Sequence, residues 1–462
     1  MVRFKNAEEK RIYMTQTPLR KLVLTLSVPT VVSMLITSLY NMADTFFVGM
    51  LYSESATGAV GVVLPLMTIM QAVGFMFGHG SGNYMARALG GGNEKDAEKM
   101  AVTGFVIAFA IGVAIAVGCF LNLKPLAFLL GATPTIAPYA MEYIAYLLPG
   151  APFLIASLVL NNQLRFQGSA FYAMFGIISG ALCNVILDPI LIFHAGLGVA
   201  GAALATSISQ TISFVMLYVG TLKGSNIQLH LKNLSFHLDT YKEILRGGLP
   251  SLGRQGFASI SIVFFNTVTG SYGDAAVAAM SIVSRVMMIA NSAIIGFGQG
   301  FQPICGFNYG AKCYGRVVDC FWFCVRVSFV VLFCISLCGL FFAEDIISIF
   351  LQGNAEVEQI GALCLRMQCI FFPLLSFVIF SNMMLQTLGM AGKATILAMA
   401  RQGVFFIPAI YLLEAHFGLF GIQISQAVSD VCSFLLSLPI ALGVLNSLKK
   451  LEKKEQAQLE SK

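Results

Sequence analysis

The sequence predicts an all-α membrane protein, with twelve transmembrane helices in two six-helix lobes related as parallel repeats. Composition, the spacing of apolar runs and a recurring offset of 220 or 221 residues predict it. Of 462 residues, 57% are hydrophobic and 11% are charged, whereas a soluble globular chain carries roughly 25% charged residues. So much apolar surface has no place in water, and lipid is the solvent for most of the chain.

Taking the chain in order, the first twenty residues (MVRFKNAEEKRIYMTQTPLR) are polar and mixed in charge. They lack the short apolar core of a cleavable signal, and none is expected. Apolar runs of roughly twenty residues then recur with polar punctuation, as hydrocarbon-spanning helices require. The spans fall at about 20–48, 58–80, 101–121, 137–160, 170–193 and 197–221, then 245–269, 275–297, 319–342, 357–385, 393–415 and 418–446. A polar stretch, KGSNIQLHLKNLSFHLDTYKEILR, separates the two sets. The expected organisation is a first lobe over 1–222, a linker over 223–244, a second lobe over 245–446 and a tail over 447–462. The eleven cysteines lie almost entirely within apolar runs. Cys320/Cys324 and Cys334/Cys338 share helix-face spacing, so they read as small packing residues and not as metal pairs.

Lysine and arginine set the orientation. With the N-terminus inside, the inner segments hold 22 of the 28 basic residues and the outer loops hold only Lys124. Both termini are therefore expected in the cytoplasm, and the net charge of +6 is topological. Nucleic-acid binding is excluded on the same ground. Two lobes then follow from the repeat. Gly78-His-Gly-Ser-Gly82 through Gly90 aligns with Gly298-Gln-Gly-Phe-Gln302 through Gly310, Pro29 with Pro250, Gln167-Gly168 with Leu388-Gly389, and Gly201 with Gly421. An even number of spans per unit makes the copies parallel, and such repeats commonly enclose a transport path.

Ionisable groups deep in these helices are few, and an aspartate at a helix centre costs about 2.5 to 3.5 kcal/mol on insertion scales. Asp44 stands on the first span in SLYNMADTFFVG, and Asp188 on the fifth in ALCNVILDPI. Tyr40 and Asn184 precede them by four residues, on the same helix faces. Thr206 lies on the sixth span. Counting helix rise from the outer ends, all three levels fall roughly 9–12 Å below the outer surface. Two carboxylates, an amide, a phenol and a hydroxyl at one depth are hard oxygen ligands for a small hard cation. If the carboxylates are adjacent and poorly solvated, they can carry protons instead.

The chain resembles the multidrug and toxic compound extrusion (MATE) transporters, and more closely their prokaryotic DinF-like branch. Carrying the likeness are Pro29 with LYNMADTFFVG, the GHGSGNYMARALGGGN stretch, CNVILDPILIF with GLGVAGAALAT, and their second-half equivalents. The resemblance implies two lobes around a V-shaped central cavity, alternating access, and Na⁺ or H⁺ antiport. It also implies a first-lobe cation site at Tyr40, Asp44, Asn184, Asp188 and Thr206, with Asp44, Asn184, Asp188 and Thr206 holding Na⁺ if sodium is coupled. NorM-like relatives place acids in the second lobe, on the seventh and tenth spans. Here GGLPSLGRQGFAS and FFPLLSFVIFSNMMLQTLG hold none, the partners of Asp188 and Thr206 fall near Ala409 and Gln426, and coupling is expected in the first lobe alone.

Other features carry less. Gly78-His-Gly-Ser-Gly82 lacks the lysine and the strand of a phosphate loop and reads as the end of a span. Met67, Met70, Met287 and Met288 are candidates for an adaptable cavity wall. Arg254 and Arg401 are expected to snorkel toward a cytoplasmic end. The expected function is export of small organic, often cationic, compounds by a monomer in the cell membrane. It needs the lipid bilayer and no cofactor beyond Na⁺ or H⁺. A lipid-linked precursor flippase of the same superfamily is the alternative and would need a strongly cationic cavity. An intramembrane enzyme would need a nucleophile, a histidine pair or a metal set, and the sequence offers no such constellation.

Overall fold

Repetition governs the architecture and is visible in the helix lengths. The computed structural model describes residues 6–50, 54–223, 226–350 and 354–460. Arg3, Lys5 and Lys462 of the expected inner charge, and Gly224 and Ser225 of the linker, lie outside the described residues. A short helix α1 (Ala7–Gln16), capped by the Asn6 side chain on the Glu9 amide at 2.8 Å, precedes the long helices. It ends before Pro18, because the residue preceding a proline is pushed out of the helical region.

The first half runs through α2 (Leu19–Gly49), α3 (Glu54–Gly90), α4 (Glu94–Leu121), the short α5 (Leu123–Leu129) and α6 (Ala137–Leu147) continued by α7 (Ala151–Phe166). It closes with α8 (Ala170–Pro189) and α9 (Gly198–Thr221). The second half runs through α10 (Leu238–Gly270), α11 (Asp274–Gly310), α12 (Tyr314–Phe341), the short α13 (Ala343–Phe350) and α14 (Ala355–Phe371) continued by α15 (Leu375–Thr387). After these come α16 (Ala391–Met399), continued by α17 (Phe406–Phe417), and finally α18 (Leu419–Glu460). Helices α3 and α11 are both 37 residues long, and α4 and α12 are both 28. The turns repeat as well. Gly168 and Gly389 both adopt φ +79°, a conformation that favours glycine where one helix stops and the next begins.

Among the described residues, eleven helical segments are long and apolar enough to cross a membrane. The twelfth long helix, α10, has 33 residues, enough to span, but is more polar, with Arg254, Gln255 and Asn266 along it. The twelve-helix, two-lobe membrane fold predicted from the sequence is thus the fold found.

Two boundaries differ from expectation. The span expected to stop at residue 80 continues as α3 to Gly90, so Gly78-His-Gly-Ser-Gly82 lies inside a helix. Its glycines serve close packing: a Cβ at Gly80 would drive into the Ile244 carbonyl, and one at Gly248 into the Met76 carbonyl. The expected tail is also helical, because α18 continues to Glu460 through a stretch rich in Lys, Glu, Gln and Leu, all good helix formers. Glu452 accepts from the Gly315 amide at 2.8 Å, and Lys312 pairs with Glu455 at 3.0 Å, tying this extension to the start of α12.

The halves meet where α2 lies on α11 and α3 on α10. Small residues line this seam, as close helix approach in lipid requires. Thr30 Oγ1 donates to the Gly296 carbonyl at 2.6 Å, and the Ser38 and Ser292 hydroxyls share a hydrogen bond of 2.6 Å. Gly90 lies so close to Phe307, and Gly310 to Arg87, that a side chain on either glycine would strike the opposing carbonyl. These approaches run from the end of the bundle that holds the chain termini up to the level of Ser38. The remaining length of α2, which carries Tyr40 and Asp44, lies beyond them.

Candidate cation site

Topology brings the expected residues to one end of the first half. Helices α2 and α8 run the same way and α9 returns, so the last turns of the first two meet the first turns of the third. Asp44 lies five residues before the end of α2, Asp188 six residues before His194, where the π-helical turn that continues α8 ends, and Thr206 eight residues into α9. At about 1.5 Å per residue these positions lie at comparable depth, opposite the end that holds the termini. Helix α8 packs against both α2 and α9. Glycines allow the approach: a Cβ at Gly201 would come within 2.6 Å of the Leu191 carbonyl.

Burial is graded across the set. Asp188 is fully buried at 0% exposure, Asn184 and Thr206 are buried, and Tyr40 and Asp44 are half-buried. The Asn184 amide donates to Asp188 Oδ1 at 3.3 Å. Beyond that bond the cluster is short of donors. Asp44 Oδ1, Asn184 Oδ1 and Asp188 Oδ2 are all buried without a hydrogen-bond partner. Ionised carboxylates only accept, and an amide oxygen likewise, so three orphaned oxygens in one neighbourhood call for a cation or for protons. Oxygen donors of this kind suit a small hard cation.

Two further side chains belong to the neighbourhood. The Tyr40 hydroxyl lies close to the Gln210 side chain, and Tyr143 on α6, fully buried, lies within electrostatic reach of both Asp44 and Asp188. Gln210 stands four residues after Thr206, on the same helix face, which is a signal the sequence holds. Tyr143 carries no such signal, because only the packing of α6 against α9 brings it near.

The methionine candidates divide. Met70 is fully buried and Met287 is 8% exposed, so both are packing residues of the core; Met67 is half-buried, and Met288 is 37% exposed. The second half does bury one acid, outside its seventh and tenth spans. Asp430 on α18 is buried and accepts from Arg401 Nε at 2.7 Å and from Gln426 Nε2 at 2.9 Å. Arg401 therefore pairs inward instead of snorkelling, because a buried carboxylate one helix away offers more than an interfacial position. Arg254 also stays inside, half-buried near Arg165. Arg165, one of the 22 basic residues assigned to inner segments, is the buried penultimate residue of α7.

Comparison with known proteins agrees with this architecture. The family profile MatE matches residues 29–190 and again 250–412, once in each half. The multidrug export protein MepA of Staphylococcus aureus (strain NCTC 8325 / PS 47) is 28% identical over 444 residues, covering 94% of this chain and 96% of that protein. A crystal structure of MATE in complex with MaL6 superposes with a TM-score of 0.90 at 25% identity, covering 95% of this chain and 99% of the other. An outward-facing multidrug resistance MATE family transporter of the MOP superfamily gives 0.89 at 25% identity, covering 97% of this chain and 100% of that one.

Proposed function

The chain belongs to the MatE family, and we propose that it is a secondary active antiporter exporting small organic, often cationic, compounds in exchange for Na⁺ or H⁺. The proposed cation path runs through Tyr40, Asp44, Asn184, Asp188 and Thr206. The observation carrying this reading is the trio of orphaned buried oxygens on Asp44, Asn184 and Asp188. They lie toward the end of the bundle away from the seam, so a cation arriving from outside can reach them while the other end is shut. The positive-inside distribution supports placing both termini, and the end of the bundle where the halves meet, on the cytoplasmic side. Organic compounds as cargo follow from the likeness to multidrug export proteins.

Coupling requires only that the cation and the substrate favour different access states. Cation binding neutralises Asp44 and Asp188 and relieves the cost of holding two carboxylates in a poorly solvated place. That relief biases the protein toward the state in which the residues are gathered. Substrate occupies the space between the halves in the other state.

The test is counterflow of a fluorescent organic cation in proteoliposomes, with an imposed Na⁺ gradient compared against an imposed pH gradient. One gradient drives uptake into inside-out vesicles, and Asp44→Asn abolishes it while expression and folding persist. Normal gradient-driven transport by Asp44→Asn removes the first-half site from the coupling mechanism.

A further inference from the structure

At the seam, on the side holding the chain termini, three basic side chains from both halves converge. Arg165 lies in the last turn of α7 in the first half and Arg254 stands in α10 of the second. His79 of α3 bonds the Ser251 hydroxyl of α10 at 3.2 Å, one helical turn before Arg254, and its ring lies edge-on to Phe166, which follows Arg165. The charges of Arg165 and Arg254 bear on each other and on His79. Among the described residues, no carboxylate bonds any of the three.

Arg165 is only 3% exposed. Its Nη2 donates to Asn162 Oδ1, and its Nε and Nη1 are buried without a partner. Buried guanidinium groups are normally paired, since desolvating the charge without compensation is strongly unfavourable. Here the imbalance is greater, because the charge of a second arginine, Arg254 of the other half, bears on the first. Gln386 of α15 holds the arrangement in place by donating to the Ser251 hydroxyl at 2.8 Å and to the Gly247 carbonyl at 3.1 Å.

We propose that Arg165, Arg254 and His79 form an anion site whose occupant clamps the cytoplasmic seam shut. The occupant is a small free anion or the carboxylate or phosphate group of an amphiphile. Arg165 Nε and Nη1 remain to give charge-assisted hydrogen bonds to such a group. With the anion bound, Arg165 and Arg254 are bridged and the halves stay together at this end. Without it, two like charges repel across the seam, and the cytoplasmic side parts more readily. The inference concerns residues away from the proposed cation path and does not depend on which ion is coupled.

Full-length protein in neutral phosphatidylcholine nanodiscs provides the test. Thermal unfolding is followed while gluconate is replaced by bromide or inorganic phosphate at constant Na⁺ and ionic strength, and separately while decanoate is added against a decanol control. The midpoint is expected to rise with anion. The half-saturating concentration is expected to increase about tenfold or more in Arg165→Lys and Arg254→Gln, the loss of one charge-assisted contact. In gluconate, Arg254→Gln is expected to unfold at a higher temperature than the parent, since the repulsion is gone; a merely structural arginine gives the opposite sign. Response to inorganic anions identifies a free anion, and response to decanoate alone identifies an amphiphile's acidic group. No anion-dependent shift, or an equal shift in the parent and in Arg254→Gln, overturns the proposal.

Discussion

Arg401 Nε lies 2.7 Å from Asp430 Oδ1, in the second half, where the repeat sets the counterpart of the first half's cation site. Gln426 and Asp430 stand 220 residues after Thr206 and Gln210, and Ser261 stands 221 after Tyr40. Ser261 bonds the Gln402 carbonyl, and Ser429 bonds that of Arg401, so the pair is framed by the same three helices as its counterpart. The first half leaves carboxylate oxygens open for a mobile cation. The second half meets its carboxylate with a tethered guanidinium.

Breaking that pair from either side leaves a charge buried alone. Arg401→Gln and Asp430→Asn should each destabilise the protein by about 3 kcal/mol, at the lower end for buried pairs because Arg401 is 18% exposed. The double substitution Arg401→Leu with Asp430→Leu should recover most of the loss. Thermal unfolding of the four proteins in detergent measures the cycle, and additive losses would show that the two groups do not interact.

Within the first-half site, oxygen donors and charge carriers should separate. Removing one neutral ligand, as in Asn184→Ala or Thr206→Ala, should raise the half-saturating coupling-cation concentration about tenfold, near 1.4 kcal/mol, with little change in maximal rate. Asp188→Asn should abolish gradient-driven transport, as Asp44→Asn does. Cation-concentration curves in proteoliposomes make the distinction.

Packing at the seam should be intolerant of a single methyl group. Gly80→Ala places a Cβ against the Ile244 carbonyl, which cannot yield as a flexible side chain would, so α3 and α10 must separate. Hydrogen exchange of the segments 76–82 and 244–250 should accelerate, and transport should fall. Gly256→Ala, with open space around its Cα, should leave both unchanged.

The N-terminal helix should dock in a pH-dependent manner. Lys10 of α1 donates to Ser169 Oγ at 2.9 Å and Asn226 Oδ1 at 2.8 Å, and burial pushes its ammonium down from 10.5 to about 7. A folded-state value below the undocked one means that the undocked helix binds more protons between the two values. Docking should therefore strengthen as pH rises from about 7 toward 10, and be weakest below 7. Hydrogen exchange across Glu8–Gln16, corrected for intrinsic rates, should slow over that range, and Lys10→Met should remove the dependence.

Much of the first-half site is legible because its residues sit at helix periodicity on strongly apolar runs. A lone Asp44 or Asp188 stands out there, with Tyr40 and Asn184 one turn earlier. Asp430 escapes the same reading because its counterpart in the first half is the neutral Gln210, so comparison through the carboxylates looks at the wrong turn. Arg165 escapes because charge at the end of an apolar run looks like a cytoplasmic loop residue; only the burial of α7 against α3 shows otherwise.

Hydropathy, charge asymmetry and the 220-residue offset determine the helices and their pairing into two parallel halves, since these follow from what lipid tolerates residue by residue. Which polar groups meet is a different matter. Arg401 on Asp430 is a contact between helices far apart in sequence, and Tyr143 within electrostatic reach of two aspartates and Arg165 of Arg254 are likewise meetings across helices. Helix rotation and close glycine packing set them, and only the tertiary structure decides those.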